Sequence, residues 1–356
     1  MRLLVLPCDG IGPEITRATM GVLDTASKIF GLELQADYED VGFASLHKHG
    51  TTIREAVLER AHDYDGVVLG PQSHMDYPPR AEGGINVSAA FRVGLDLYAN
   101  VRPARSRAYL GTSLREMDLV IMREATEGFY PDRNMHEGIG EFMPSPDMAL
   151  SVRKITAQAC ERIARRAFEL ARTRNKHVTA VHKANNFLMS DGLFMREVRK
   201  VAEDFPDVRL DDAIVDAMAA YLVRDPSRFD VIVTTNFYAD ILSDLASELS
   251  GGLGLAGSIN ANAETGRVCA QAQHGSAPDI ENQNIANPTS LILSVGMMLT
   301  WLGQRRDDKR VEAAGQAMER AVDTVLENPQ TRTRDLGGTI NTDTFGEHVA
   351  QALGAD

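Results

Sequence analysis

Tryptophan occurs once and cysteine three times in these 356 residues, and no stretch is long and apolar enough to suggest a membrane span. The cysteines, Cys8, Cys160 and Cys269, are spaced for neither a zinc cluster nor a disulfide framework, which points to a reducing, cytoplasmic setting. The most apolar segment, LILSVGMMLTWLG, falls short of the roughly 18 residues a spanning helix requires and reads as a buried helix. No basic block interrupts an acidic total of 50 Asp and Glu against 37 Lys and Arg, a net charge of -13. Affinity for nucleic acid or for a membrane surface is thereby disfavoured, so individual arginines need local explanations. The opening MRLLVLPCDG turns at Pro7 and Gly10 and reads as a first strand rather than a signal peptide. Internal repeats and low-complexity linkers are also lacking.

What is present is a chain with 44% hydrophobic residues, long enough to bury one large core or two moderate ones. Short apolar runs such as DGVVLGP, DLVIMREAT, HVTAVHK and FDVIVTT alternate with stretches of helical period, predicting an α/β fold. The stretch SVRKITAQACERIARRAFELARTR predicts a helix, and a further helix is expected from about Tyr238. The region PQSHMDYPPRAEGGINVSAAF reads as a loop leading into a helix. The pattern suits two intertwined domains, one formed by residues 1–97 with 250–356 and the other by 98–249.

On the predicted helix, Asp240 and Asp244 stand at i and i+4, so their carboxylates share a face and repel unless a cation or donors compensate. Mg2+ or Mn2+ would do so through hard oxygen ligands, with Asp216 in IVDAMA as a third candidate. A solvated acidic face is the other reading. Arg92, Arg102 and Arg123 fall near predicted element ends. Guanidinium forks suit an acidic small molecule, although each alone also describes a surface charge. Lys183 and Tyr130 carry proton-transfer potential or, equally, a structural ion pair and an interface aromatic.

The ordered set CDGIGPEI, LYANVRP, REATEGFY, VHKAN, VDAMA, NFYADILSD, HGSAPDI and NIANP resembles the β-decarboxylating dehydrogenases, the family of isocitrate, isopropylmalate, homoisocitrate, tartrate and malate enzymes. The resemblance spans residues 3 to 345. It implies the isocitrate/isopropylmalate dehydrogenase-like fold rather than a standard Rossmann fold. By the same resemblance, Arg92, Arg102 and Arg123 would bind the substrate carboxylate that leaves as carbon dioxide, Tyr130 and Lys183 would be catalytic, and Asp216, Asp240 and Asp244 would hold the divalent metal. Lys183 and Asp216 would reach the site from a second subunit, which makes a homodimer part of the expectation.

Cofactor recognition is implied in the early DGIGPE segment, at Ile11, and in HGSAPDIENQNIANP. There His274 and Gly275 stand on the adenine side, with Asn287 a further candidate or simply a turn residue before proline. Asp279 matches the acid that binds the ribose hydroxyls of NAD, and its charge would repel the 2'-phosphate of NADP. The passage GGLGLAG lacks the strand–turn–helix context of a phosphate loop and reads as a turn or a close helix contact.

Departures from the family pattern are Cys8 for a glycine, His182 for the acid before Lys183, Ala239 for a glycine, and Gln271, Ala272 and Gln273 before HGSAPD. In GGINVSAAFR, Asn86 and Ser88 stand where the variable substituent of the substrate would be read. That stretch lacks the bulky aliphatic pair expected for an isopropyl group and the SxN arrangement associated with isocitrate. The resulting expectation is NAD- and divalent-metal-dependent oxidative decarboxylation of a (2R)-hydroxy diacid of the malate type with a small or polar C3 substituent. The alternatives are 3-isopropylmalate dehydrogenase, or a catalytically silent binding dimer that keeps the fold.

Overall fold

The computed structural model describes residues 1–354. The chain forms two compact units, one of which interrupts the other. The first unit takes residues Met1–Leu95 and Tyr109–Thr112 and resumes at Gly252, whereas the second takes Asp96–Ala108 and Ser113–Gly251.

The first unit opens with β1 (Arg2–Leu6), α1 (Gly12–Ile29), β2 (Gln35–Tyr38), α2 (Phe43–His49), α3 (Glu55–Ala61), β3 (Gly66–Leu69) and α4 (Val87–Gly94). The second contains β4 (Ala99–Arg105), β5 (Asp118–Glu124), β6 (Glu141–Ser145), β7 (Met148–Ser151), α5 (Ala157–Arg172), β8 (His177–His182), α6 (Ser190–Ala202), β9 (Arg209–Ile214), α7 (Val215–Arg224), β10 (Val231–Thr234) and α8 (Asn236–Ser250). The first unit then resumes with β11 (Ile259–Asn262), β12 (Arg267–Gln271), α9 (Thr289–Arg306), α10 (Lys309–Glu327) and α11 (Thr342–Leu353). Among the described residues no helix is long and apolar enough to cross a membrane.

In the second unit the strand order β4-β5-β10-β8-β9 is parallel except for the antiparallel β4–β5 pair. Successive side chains of a strand point to opposite faces, and this alternation sorts the core into two layers. Val120, Met122, Val231 and Val233 pack with α5 and α6, while Leu119, Ile121 and Ile232 pack with Met218 of α7 and Ala239, Leu242 and Ala246 of α8. Both faces of the sheet are therefore covered, which explains why its parallel strands read as continuous apolar runs. The same alternation decides where charged residues go. Arg123 has the parity of Leu119 and Ile121, and Arg102 pairs with Ile121 across β4–β5 and has the parity of buried Ala104. Both arginines thus face α8.

In the first unit the order is β2-β1-β3-β12-β11, parallel apart from the β11–β12 hairpin. Gly251 and Gly252, with φ of 138° and 123°, end α8 in backbone that side chains disfavour. Gly257 lies where an added Cβ would come within 3.1 Å of Leu293 in α9. These glycines serve as a helix stop and a close helix contact.

Three local assignments differ from the sequence reading. Helix α8 begins at Asn236, two residues before the expected start. Helix α5 begins only at Ala157, because Thr156 caps it through the backbone N–H of Ala159 and Lys154 bridges to Gly128. The β6–β7 hairpin was not expected, since its Phe142, Met143, Met148 and Leu150 are all exposed and give no inward-facing pattern.

Candidate active site

The passage from β10 to α8 places the two acids. Strand β10 is fully buried, and the helix that follows sets Leu242 and Ala246 into the core while Asp240, Ser243 and Asp244 line the flank nearest the arginines. Arg102 donates through Nη1 to Asp240 Oδ1 (3.2 Å), Ser243 Oγ (2.7 Å) and Asp244 Oδ1 (3.2 Å), and through Nε to Asn100 (2.7 Å). Arg123, only 2% exposed, donates to Asn236 Oδ1 (2.8 Å), to Asp240 and to the hydroxyl of Tyr130 (3.3 Å). Tyr130 in turn donates to Asp240 Oδ2 (2.5 Å). The acids at i and i+4 are therefore compensated by two guanidinium groups, which resolves the repulsion their spacing creates. Burial, reinforced by the neighbouring Arg123, pushes Arg102 down to about 10, so Arg102 still carries its charge at neutral pH.

Lys183 and Asp216 form a second group. Lys183 follows β8, and Asp216 stands in the first turn of α7, where the helix dipole favours a carboxylate. Lys183 Nζ bonds Asp216 Oδ1, and this contact holds the exposed carboxyl below its usual range. His182 accepts from the backbone N–H of Ala184 at Nδ1 (3.0 Å), so its Nε2 carries the proton toward Asp212 (3.2 Å). The residue that replaces an acid before Lys183 is thus committed to shaping the turn.

Asp240 and Asp244 offer hard oxygen donors, 35% and 53% exposed, in keeping with Mg2+ or Mn2+. Asp216 belongs to the second group, and among the described residues no three acids, histidines or cysteines gather to hold a metal ion. The donor chemistry fits a divalent cation, and a single chain brings together two of the three expected ligands.

In the first unit, Arg92 on α4 donates to Asn260 Oδ1 (3.0 Å). Asn86 caps α4 by accepting from Ala89 N–H (2.9 Å) and also accepts from Gln72 Nε2 (2.9 Å). These two donors fix its orientation and leave its amide hydrogens as the group it can offer. Ser88 is buried and donates to Gln271 Oε1 (2.8 Å). Asn86 and Ser88 therefore lie in a polar ring with Gln72 and Gln271.

A cavity of about 340 Å3 in the same unit is lined by Ile11, His274, Gly275 and Asn287, together with Gly254, Ala277, Ile280 and Asp335. His274 Nδ1 lies 2.9 Å from the carbonyl of Gly275, to which it must donate, and its Nε2 is buried without a partner. Burial pushes the imidazole below its usual value and keeps it neutral. A neutral ring with a buried, unpartnered acceptor suits the exocyclic amine of an adenine. Asn287 donates to Asp335 (2.9 Å) and accepts from Thr289 N–H (3.0 Å) at the start of α9, so it combines a cavity wall with a helix cap. Asp279 is exposed, on the short Pro278–Ile280 turn whose neighbours Ala277 and Ile280 face the cavity.

Sequence reasoning missed Asn100, Asn236, Asn260, Ser243 and Asp335, which orient the charged groups or the cavity wall. Only Asn100 had a readable signal, its i, i+2 relation to Arg102 on a strand.

The isocitrate/isopropylmalate dehydrogenase family model matches residues 2–349. An isocitrate/homoisocitrate dehydrogenase of Thermus thermophilus is 42% identical over 99% of this chain and 98% of its own length. A 3-isopropylmalate/3-methylmalate dehydrogenase of Methanocaldococcus jannaschii is 40% identical over 99% of this chain and 98% of its own. The crystal structure of isocitrate dehydrogenase from Methylococcus capsulatus superposes with a TM-score of 0.87 at 37% identity, covering 99% of both chains.

Proposed function

The chain belongs to the isocitrate/isopropylmalate dehydrogenase family, whose members carry out NAD-dependent oxidative decarboxylation of hydroxy diacids, and we propose that its own substrate is a (2R)-hydroxy diacid of the malate type with a small or polar C3 substituent. The observation that carries the reading is the Arg102–Arg123–Tyr130–Asp240–Asp244 cluster, in which a carboxylate-binding pair and a phenol converge on the acids of one helix.

Arg92, Arg102 and Arg123 would hold the substrate carboxylate that leaves as carbon dioxide by paired hydrogen bonds. Lys183, acting with water or Asp216, would handle the proton that leaves the C2 hydroxyl as hydride leaves C2. Carbon dioxide then departs from the carboxylate beside C3, and Tyr130 would return a proton to the carbon left behind. Asp240 and Asp244, with Asp216 from a second copy of the chain, would hold Mg2+ or Mn2+, which would supply Lewis acidity to the substrate. Ile11, His274, Gly275 and Asn287 would hold NAD, which would supply the hydride acceptor, with Asp279 reading its ribose hydroxyls. Residues 1–97 with 250–356 would form the cofactor domain, and residues 98–249 would serve substrate, metal and dimerisation. A reducing cytoplasmic setting suits three free, buried cysteines.

The polar ring of Gln72, Asn86, Ser88 and Gln271 favours a substituent that accepts hydrogen bonds over a branched alkyl group. Absorbance of reduced nicotinamide, read with Mn2+ and NAD or NADP across malate, tartrate, isocitrate, homoisocitrate and 3-alkylmalates, tests this. The expected result is NAD-linked turnover of a small or polar member. Turnover of 3-isopropylmalate above the others would overturn the substrate reading, and silence across the panel would favour a binding dimer. Mixing Lys183→Ala and Tyr130→Phe chains tests the shared site, because heterodimers regain one intact centre and hence activity.

A further inference from the structure

Arg153 sits in the extended segment before α5, its side chain only 7% exposed, between the loop that carries Tyr130 and the turn that carries Lys183. Its Nη1 lies 2.5 Å from Asp191 Oδ1, and Nη2 donates to Thr235 Oγ1 (3.0 Å) beside the start of α8. Three rings surround the guanidinium, Phe129, Phe187 and Tyr238, with centroids at 5.1, 5.4 and 5.0 Å. The backbone pins this segment as well, since Gly128 and Lys154 exchange N–H···O bonds of 3.0 Å in both directions.

Asp191 has no solvent exposure, yet it accepts from the backbone N–H of Lys183 (2.5 Å) and from the hydroxyl of Tyr238 (3.2 Å). A carboxylate buried this completely needs a counter-charge beside it, and removing that partner leaves an uncompensated group in the core. Arg153 is the cation it meets. The same guanidinium packs on Phe129, the residue before Tyr130, and Phe129 packs edge-on against Phe237 of α8. One side chain therefore touches the supports of the lysine turn, the tyrosine loop and the acid-bearing helix.

We propose that Arg153 is a positioning residue for this enzyme, which pairs with Asp191 and so holds the carboxylate that anchors Lys183 through its backbone N–H, and which sets the Tyr130 loop through Phe129. The inference rests on the catalytic assignment of Lys183 and Tyr130 given above. A lysine at 153 keeps the charge but lacks the fork and flat face, so it supports Asp191 without fully supporting the rings.

The test is steady-state kinetics on the purified full chain together with hydrogen exchange at the Lys183 amide. Arg153→Met should lower kcat by about tenfold to a hundredfold with KM for the acid within about threefold, as expected for misplaced reacting groups. It should also speed Lys183 amide exchange by at least about tenfold. Arg153→Lys should recover most of both. Arg153→Met combined with Asp191→Leu removes both buried charges and the acceptor. It should melt close to the parent protein yet keep the low kcat and fast exchange, which a merely structural ion pair would not produce. Unchanged kcat in Arg153→Met, unchanged exchange at Lys183, or parental kcat in the folded double variant would each overturn the proposal. If the parent protein turns over none of the acids, the functional reading fails while amide exchange still decides whether Arg153 holds Lys183.

Discussion

The Arg102–Arg123–Asp240 cluster and the Ile11–His274 cavity are built on opposite principles. In the first, charges are already paired, and any anion or cation must join or compete with existing partners. In the second, the walls are mostly apolar and a single buried nitrogen lacks a partner. A pre-paired charged site binds by exchange, and its energetics hinge on leaving no ion uncompensated. A preformed apolar site binds by burial, with a few polar atoms setting orientation.

Removing a charge from the paired cluster should produce the largest effect. Asp240→Asn should reduce kcat/KM for the acid by about a hundredfold or more, because it weakens a proposed metal ligand and the counter-charge of two arginines together. The KM for NAD should stay within about twofold. An equal change in both constants would erase the distinction between the sites.

Next comes Glu127, three residues before Tyr130, buried and bound by Thr156 through its N–H (2.6 Å) and hydroxyl (2.9 Å). Burial, and secondarily the charge of Glu124, pushes it up to about 7 against those hydrogen bonds. From about pH 4.5 to 7 the folded chain keeps a proton that the unfolded chain releases, so its contribution to stability falls as pH rises, by about 3 kcal/mol in all. Glu127→Gln should therefore gain stability relative to the parent as pH climbs through that window and hold the gain above it. Urea unfolding at pH 5 and pH 8 measures the difference, and a pH-independent difference would refute it.

A smaller change is expected in the apolar site. His274→Leu should raise the KM for NAD by about tenfold, near 1.4 kcal/mol, while kcat stays within about twofold. An effect confined to kcat would argue against the adenine assignment.

The smallest concerns Cys8, which holds a left-handed backbone (φ 62°) where the family pattern has glycine. Cys8→Gly relieves that strain but loses a buried side chain, so the net change should lie within about 1 kcal/mol. Burial pushes all three thiols up, and their reaction with a thiol reagent should follow unfolding rather than precede it.

The α/β alternation was legible because strands buried on both faces leave uninterrupted apolar runs, as in VIVT of β10. The β6–β7 hairpin was not, since none of its large side chains has a core to face. The acidic pair was legible by its spacing, but its counter-ions became visible only once strand parity and register put Arg102 and Arg123 on the α8 side. Arg153 was hidden for a different reason. It lies in a stretch whose composition reads as helix, while the Thr156 cap and the Gly128–Lys154 bridge hold it extended. His274, Gly275 and Asn287 were reachable through the family resemblance alone, because a cavity assembled from a turn and two loop ends has no period.

The interruption of one unit by the other has a kinetic side. Strand β3 pairs in parallel with β12, Val67 against Cys269, so two adjacent strands are separated by about 200 residues of chain. During synthesis the edge of β3 stays open while the whole intervening unit emerges, and that unit can fold in the meantime from its own contiguous residues. The first unit must then close a long loop after the second has finished folding. Until β12 arrives, the buried run Gly66–Leu69 is an unpaired strand edge open to wrong partners.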